Sequence, residues 1–124
     1  MNLSDQEFAR IVRRSIDRIP DEIMRHVENV AITVEDRPSR ELLDDMGIPP
    51  DDTLLGVYTG IALPERSMTS PSFYPDTIII FKEPLLDICT SISELEDEIE
   101  ITVVHEIAHY FGISEERLAG LGYM

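Results

Sequence analysis

Apolar residues at Phe8, Ile11, Val12, Ile16 and Ile19 recur at helical spacing, which predicts an amphipathic helix over 5–18. Ser4-Asp5-Gln6-Glu7 has the form of a capping box at its start, and Pro20 stops it. A short helical turn is expected at 21–28. From Val30 the period changes to two: Val30, Ile32 and Val34 alternate with Ala31 and Thr33, a strand that Pro38 closes. Residues 39–46 read as a short helix ended by Gly47, followed by an Ile48-Pro-Pro-Asp-Asp turn. Leu54 to Gly60 reads as a second strand, and Thr77 to Phe81 as a third, more fully buried one. Between them, roughly 61–76, lies a loop with Pro64, Pro71 and Pro75. A loop of that length in a compact domain is either functional or a disordered surface segment.

The C-terminal third has the strongest pattern. Ser93-Glu94-Leu95-Glu96 is a second capping-box sequence, and Ile99, Val103, Ile107 and Phe111 continue at helical spacing. A helix over 94–111 follows, with Gly112 as its stop. Ser114 then starts a last short helix with Glu115 and Glu116 in its first turn.

The 124 residues fit one domain, 1–124, with a single modest core. The net charge of −15 argues against nucleic acid as a partner and against anionic membrane surfaces. No apolar run is long enough for a transmembrane helix, and the N-terminus has no signal-like apolar core. The lone cysteine, Cys89, forbids an internal disulfide and suits a cytoplasmic location. It reads as a small buried hydrophobe.

The chemistry lies inside the long helix, at His105-Glu106-Ile107-Ala108-His109, an HExxH sequence. Residues i and i+4 share a helix face, so both imidazoles can reach one metal ion. Glu106 neighbours the first ligand, where a carboxylate takes the proton of a water acidified by zinc. By composition the motif arises by chance in only about a few per thousand chains of this length. The flanks Val103, Val104, Tyr110 and Phe111 suggest a buried helix, in which two histidines need partners for their nitrogens. A metal is one such partner; backbone or carboxylate groups are the other.

Metal sites of this type use three protein ligands. Gly112 can turn the chain back, so Glu115, six residues after His109, is the leading candidate, in the spacing HExxHxxGxxE. Glu116 competes with it, and an upstream residue or a water is the remaining option. Each glutamate also has an ordinary reading, as favourable charge at a helix N-terminus.

HExxHxxG resembles the zincin metallopeptidases. Glu115 stands where metzincins carry histidine, and no methionine turn follows, so the chain departs from that branch. It is more similar to a small bacterial family of minimal zincins, through Phe8, Ile11, Val12, VAITVEDRP at 30–38, LLGVYTG at 54–60 and TVVHEIAHYFGISEERLAGLGY at 102–123. The resemblance implies an α+β fold. In it a small twisted sheet of about three strands packs on helices that include the HExxH helix, with a metal cleft at an edge strand. It also implies a zinc-dependent peptidase acting on peptides or unstructured protein, with His105, His109 and Glu115 on the metal and Glu106 as base. A monomer is expected, with a regulatory protein partner as one route to specificity. The alternative is a non-catalytic, metal-stabilised binding or regulatory module on the same scaffold.

Other residues have weaker readings. A donor for the oxyanion is sought among Tyr58, Tyr74, Tyr110, Tyr123, Arg66 and Arg117. The LLGVYTG strand could bind peptide by strand addition, with Gly56 and Gly60 allowing close backbone approach. His26 reads as a partly exposed helix residue. Glu94 to Glu100 reads as a solvated face. The arginines at 10, 13, 14 and 18 lie on the polar side of the first helix and offset acidic surface.

Overall fold

The computed structural model describes residues 1–27, 30–60 and 76–123. In chain order it contains α1 (Asp5–Asp17), α2 (Asp21–Met24), β1 (Val30–Glu35), α3 (Arg40–Asp45), β2 (Gly56–Thr59), β3 (Asp76–Phe81), α4 (Lys82–Ile88), α5 (Ile92–Phe111) and α6 (Glu115–Gly120). Helices and a small mixed sheet make an α+β fold, as the resemblance implies.

The strand order is β1-β3-β2. β1 runs parallel to β3, with Val30 opposite Asp76 and Glu35 opposite Phe81. β2 runs antiparallel to β3, with Gly56 opposite Ile80 and Thr59 opposite Thr77. The Ile-rich strand is therefore central, which explains its apolar run: it is paired on both edges. Its Ile78 and Ile80 are fully buried.

Those two isoleucines meet the helices in one core with Phe8, Ile11 and Val12 of α1, Leu85 of α4 and Leu95, Ile99, Val103, Val104 and Ile107 of α5. α5 packs against β2, β3 and α1. Burying each large aliphatic side chain contributes about 1.5–3 kcal/mol.

Local signals set the element ends. The Ser4 hydroxyl accepts from the Glu7 amide while the Glu7 carboxylate accepts from the Ser4 amide, so the predicted box is formed. At α5 the cap is Ser91, not Ser93: its hydroxyl accepts from the Glu94 amide at 3.1 Å, and the helix begins at Ile92. Ser91-Ile92-Ser93-Glu94 has the same Ser-x-x-Glu spacing, and the upstream serine wins. The Glu94 carboxylate accepts instead from the Thr90 amide and hydroxyl.

α4 is an element the hydrophobic pattern did not yield. It begins directly at the end of β3, with Phe81 as its N-cap and Pro84 in its first turn. The segment read as a solvated acidic face is also more than that. Arg14 pairs with Glu96 at 3.3 Å, and Arg18 with Asp97 at 2.7 Å and Glu100 at 2.8 Å, tying α1 to α5. Cys89 is buried in the core cluster, and its thiol is pushed up by burial and by Glu98 and Glu94. Among the described residues no helix is long and apolar enough to cross a membrane.

Candidate functional site

The HExxH residues lie in the last two turns of α5, where helical geometry divides them between two surroundings. Ile107 and Ala108 face the core, as do Val103 and Val104. His105 and His109 are exposed, and Glu106 is half-buried. The flanking residues Tyr110 and Phe111, read as part of a buried helix, are 52% and 39% exposed. The helix is thus buried on one face only, and the motif looks outward.

Gly112 ends α5 with φ 71° and ψ 30°, in the left-handed region that glycine enters without strain. The Ile113 amide donates to the Ala108 carbonyl at 2.9 Å, closing the turn. Ser114 then caps α6, its hydroxyl accepting from the Arg117 amide at 3.1 Å. The outcome is a reversal that sets α6 across from the end of α5. Between them is a cavity of about 560 Å³ lined by His105, Glu106, His109, Gly112 and Glu115, among others. Glu116 does not line it.

Glu106 is held from the sheet. The Tyr58 amide donates to its Oε1 at 2.9 Å. β2 is an edge strand, and in an antiparallel pair alternate amides point away from the partner. Tyr58 uses its outward amide on the carboxylate of Glu106, so the sheet edge orients the acid. Close approach of strand and helix makes this possible. A Cβ at Gly56 would stand 2.8 Å from Thr102 Cγ2 and 3.1 Å from the Ile79 carbonyl oxygen. Gly56 therefore makes room for the approach of α5, whereas the approach expected at this strand was that of a bound peptide. A Cβ at Gly60 would likewise meet the Tyr110 hydroxyl at 2.9 Å.

The tyrosines read as oxyanion donors have other engagements. The Tyr58 ring stacks on Tyr110 at 4.0 Å, and its hydroxyl donates to Asp76 Oδ2 at 3.0 Å. Phe111 meets Tyr58 edge-on, and His26 lies 5.9 Å from Phe111. His26 is exposed in the turn after α2, away from the cavity lining. The Arg117 guanidinium donates to Glu22. The Tyr123 hydroxyl donates to Glu100 Oε2 at 2.6 Å, and burial together with Glu100 pushes it up from the usual phenol range. Its carbonyl stands 3.1 Å from His105 Nε2. Arg66, Tyr74 and nearly all of the 61–76 loop lie outside the described residues.

Two imidazoles and a carboxylate suit zinc in kind, and all three line the one cavity. Among the described residues no three of these side chains stand together at metal-holding distance. Glu115 is exposed at the first position of α6. The donor set fits the metal in chemistry and in shared location.

Residues 27–123 match the model of a family described as zincin-like metallopeptidases. No curated protein matches the chain in sequence. A solved structure, described as a conserved hypothetical protein from Thermus thermophilus, is similar in fold at a TM-score of 0.56. Its sequence is 20% identical, and the likeness covers 94% of this chain and 98% of that one.

Proposed function

The chain belongs to the zincin-like metallopeptidase family, and on that premise we propose that it is a zinc-dependent peptidase acting on extended peptides or unstructured protein. The observation that carries the reading is the cavity at the α5–α6 reversal. It brings His105, Glu106, His109 and Glu115 to one surface, with Glu106 oriented by the edge strand.

In this reading His105, His109 and Glu115 hold the metal. Bound zinc supplies Lewis acidity toward a carbonyl and acidifies a water. Glu106 is the base that receives the water's proton and passes it to the leaving amine. The Tyr58 amide on Oε1 leaves Oε2 for that work and keeps the carboxylate from turning away.

Hollows on both sides of the motif support an extended substrate. One of about 280 Å³ runs from His105 and Glu106 along Thr53–Gly56 and Ile101. Another of about 380 Å³ continues from Gly112–Ser114 to Phe111 and His26. Together with the central cavity they leave room for residues on either side of a scissile bond.

The test pairs metal content with turnover. Wild type should carry near-stoichiometric zinc and cleave members of an unstructured peptide pool. His109→Ala should lose the metal. Glu106→Gln should keep it and lose about a hundredfold to ten-thousandfold in turnover. Stoichiometric zinc with no cleavage of any peptide would favour the metal-stabilised binding module instead. Glu106→Gln cleaving as fast as wild type would sink the mechanism.

A further inference from the structure

We propose that the hollow between the Thr53–Gly56 segment and α5 is a specificity pocket for a cationic side chain, arginine or lysine, next to the scissile bond of the peptide. The proposal deepens the peptidase reading and rests on it. The hollow, of about 280 Å³, is shared with the motif, because His105 and Glu106 belong to its lining. A residue adjoining a bond attacked at those two side chains has this hollow as its neighbour.

What the hollow selects follows from its walls. Glu98, Ile101, Thr102 and His105 stand at i, i+3, i+4 and i+7 on α5, so they form one stripe of the helix. Leu54 and Leu55, both half-buried, complete the lining from the segment before β2. Ile101 is 38% exposed, an apolar side chain left open to the hollow. These walls suit a hydrocarbon stem. Among the described residues no lysine or arginine lines the hollow, and Glu98 puts a carboxylate on it two helical turns before His105. Seven residues of helix rise about 10 Å. A side chain that starts beside His105 and ends on Glu98 is therefore long, apolar along its length and cationic at its tip, which describes arginine and lysine.

Glu98 is available for this role. α5 carries six carboxylates. Glu94 is held by Thr90, Glu96 by Arg14, Asp97 by Arg18, Glu100 by Arg18 and Tyr123, and Glu106 by the Tyr58 amide. Glu98 alone forms no hydrogen bond or ion pair with a described residue, although it is half-buried. A carboxylate partly withdrawn from water and without a partner gains a charge-assisted hydrogen bond from an incoming cation. The net charge of −15 acts in the same sense at longer range, drawing cationic peptides toward the surface.

Two short capped peptides that differ in one residue test the pocket: Ala-Ala-Arg-Ala-Ala, and the same peptide with citrulline, which keeps arginine's shape and loses its charge. Their binding to the metal-free protein is measured by NMR titration, which needs no turnover. Wild type should bind the arginine peptide about tenfold more tightly, and Glu98→Gln should bind the two alike. Urea denaturation of Glu98→Gln should match wild type, since Glu98 has no partner to lose. When the zinc-loaded protein cleaves an unstructured peptide pool, bonds next to arginine or lysine should be favoured about tenfold. Glu98→Lys should move that preference to bonds next to aspartate or glutamate. Equal binding of the two peptides by wild type, or binding of neither, would overturn the proposal. So would a preference for arginine that persists in Glu98→Gln. Arginine selectivity that depends on Glu98, without cleavage of any peptide, would leave the pocket standing and remove the peptidase reading. Cleavage with no preference for a cationic neighbour would do the reverse.

Discussion

The two ends of α5 do different work on one continuous backbone. From Leu95 to Val104 the helix is a core element, with Leu95, Ile99, Val103 and Val104 buried and Glu96, Asp97 and Glu100 paired to the arginines of α1. From His105 to Phe111 only Ile107 and Ala108 are buried, and His105, His109, Tyr110 and Phe111 are exposed. The difference teaches how a small chain can hold a rigid site. The stability is stored in the first half, and the second half inherits its orientation without being buried itself. A helix transmits position along its axis, so chemistry can sit at an open surface and still be precisely aimed.

That division can be broken at either end. Ile99→Ala, in the buried half, should destabilise the fold by about 2–5 kcal/mol, read from urea denaturation. An equal loss from an exposed position in the second half would contradict the division. Gly112→Ala should cost about 1–2 kcal/mol, because an alanine at φ 71° is strained in a place where its Cβ would touch nothing. It should also weaken zinc binding, since the turn places Glu115; unchanged affinity would show that Glu115 is not held by that turn. Tyr110→Ala should cost only about 0.5–1.5 kcal/mol, the worth of its stack on Tyr58.

The smallest effect is a pH dependence at the other end of the helix. The Thr90 hydroxyl and amide hold the Glu94 carboxyl below the usual carboxylate range. A depressed folded-state value gives stability that is present above the ordinary glutamate range and lost as pH falls through the lowered value. Thermal denaturation of wild type and Thr90→Val across acid pH should therefore diverge above that window and converge below it. Parallel curves throughout would show that the contact contributes nothing.

Much of this arrangement was legible in the residues, because its causes are local. Ser4 with Glu7, Gly112 and Ser114 act within a turn of where they stand, and each forms the cap or stop its type predicts. HExxH needs only the helical repeat to put its histidines on one face. The displaced cap of α5 shows the limit: Ser91 and Ser93 both precede glutamate by three, and nothing local separates them. α4 escaped because no turn residue parts it from β3. Pro84 with Leu85 and Leu86 was the available signal. The amide of Tyr58 on Glu106 and the carbonyl of Tyr123 on His105 were beyond reach for another reason. Both are backbone groups, identical at every position, and only the tertiary fold singles them out.

The parallel pairing of β1 with β3 has a consequence in time. Val30 lies opposite Asp76, and β2 also finds its only strand partner among the described residues in β3. Among the described residues no strand of the sheet pairs until the chain has been followed as far as residue 76, and none of them forms a tight hairpin that could offer a local start. Loop closure over such separations is paid before any ladder bond is formed, which slows assembly. The helices can form earlier from local contacts, so α5 can carry its histidines before there is an edge strand to meet Glu106. The contact of Glu106 with β2 would then arrive as one of the last events of folding.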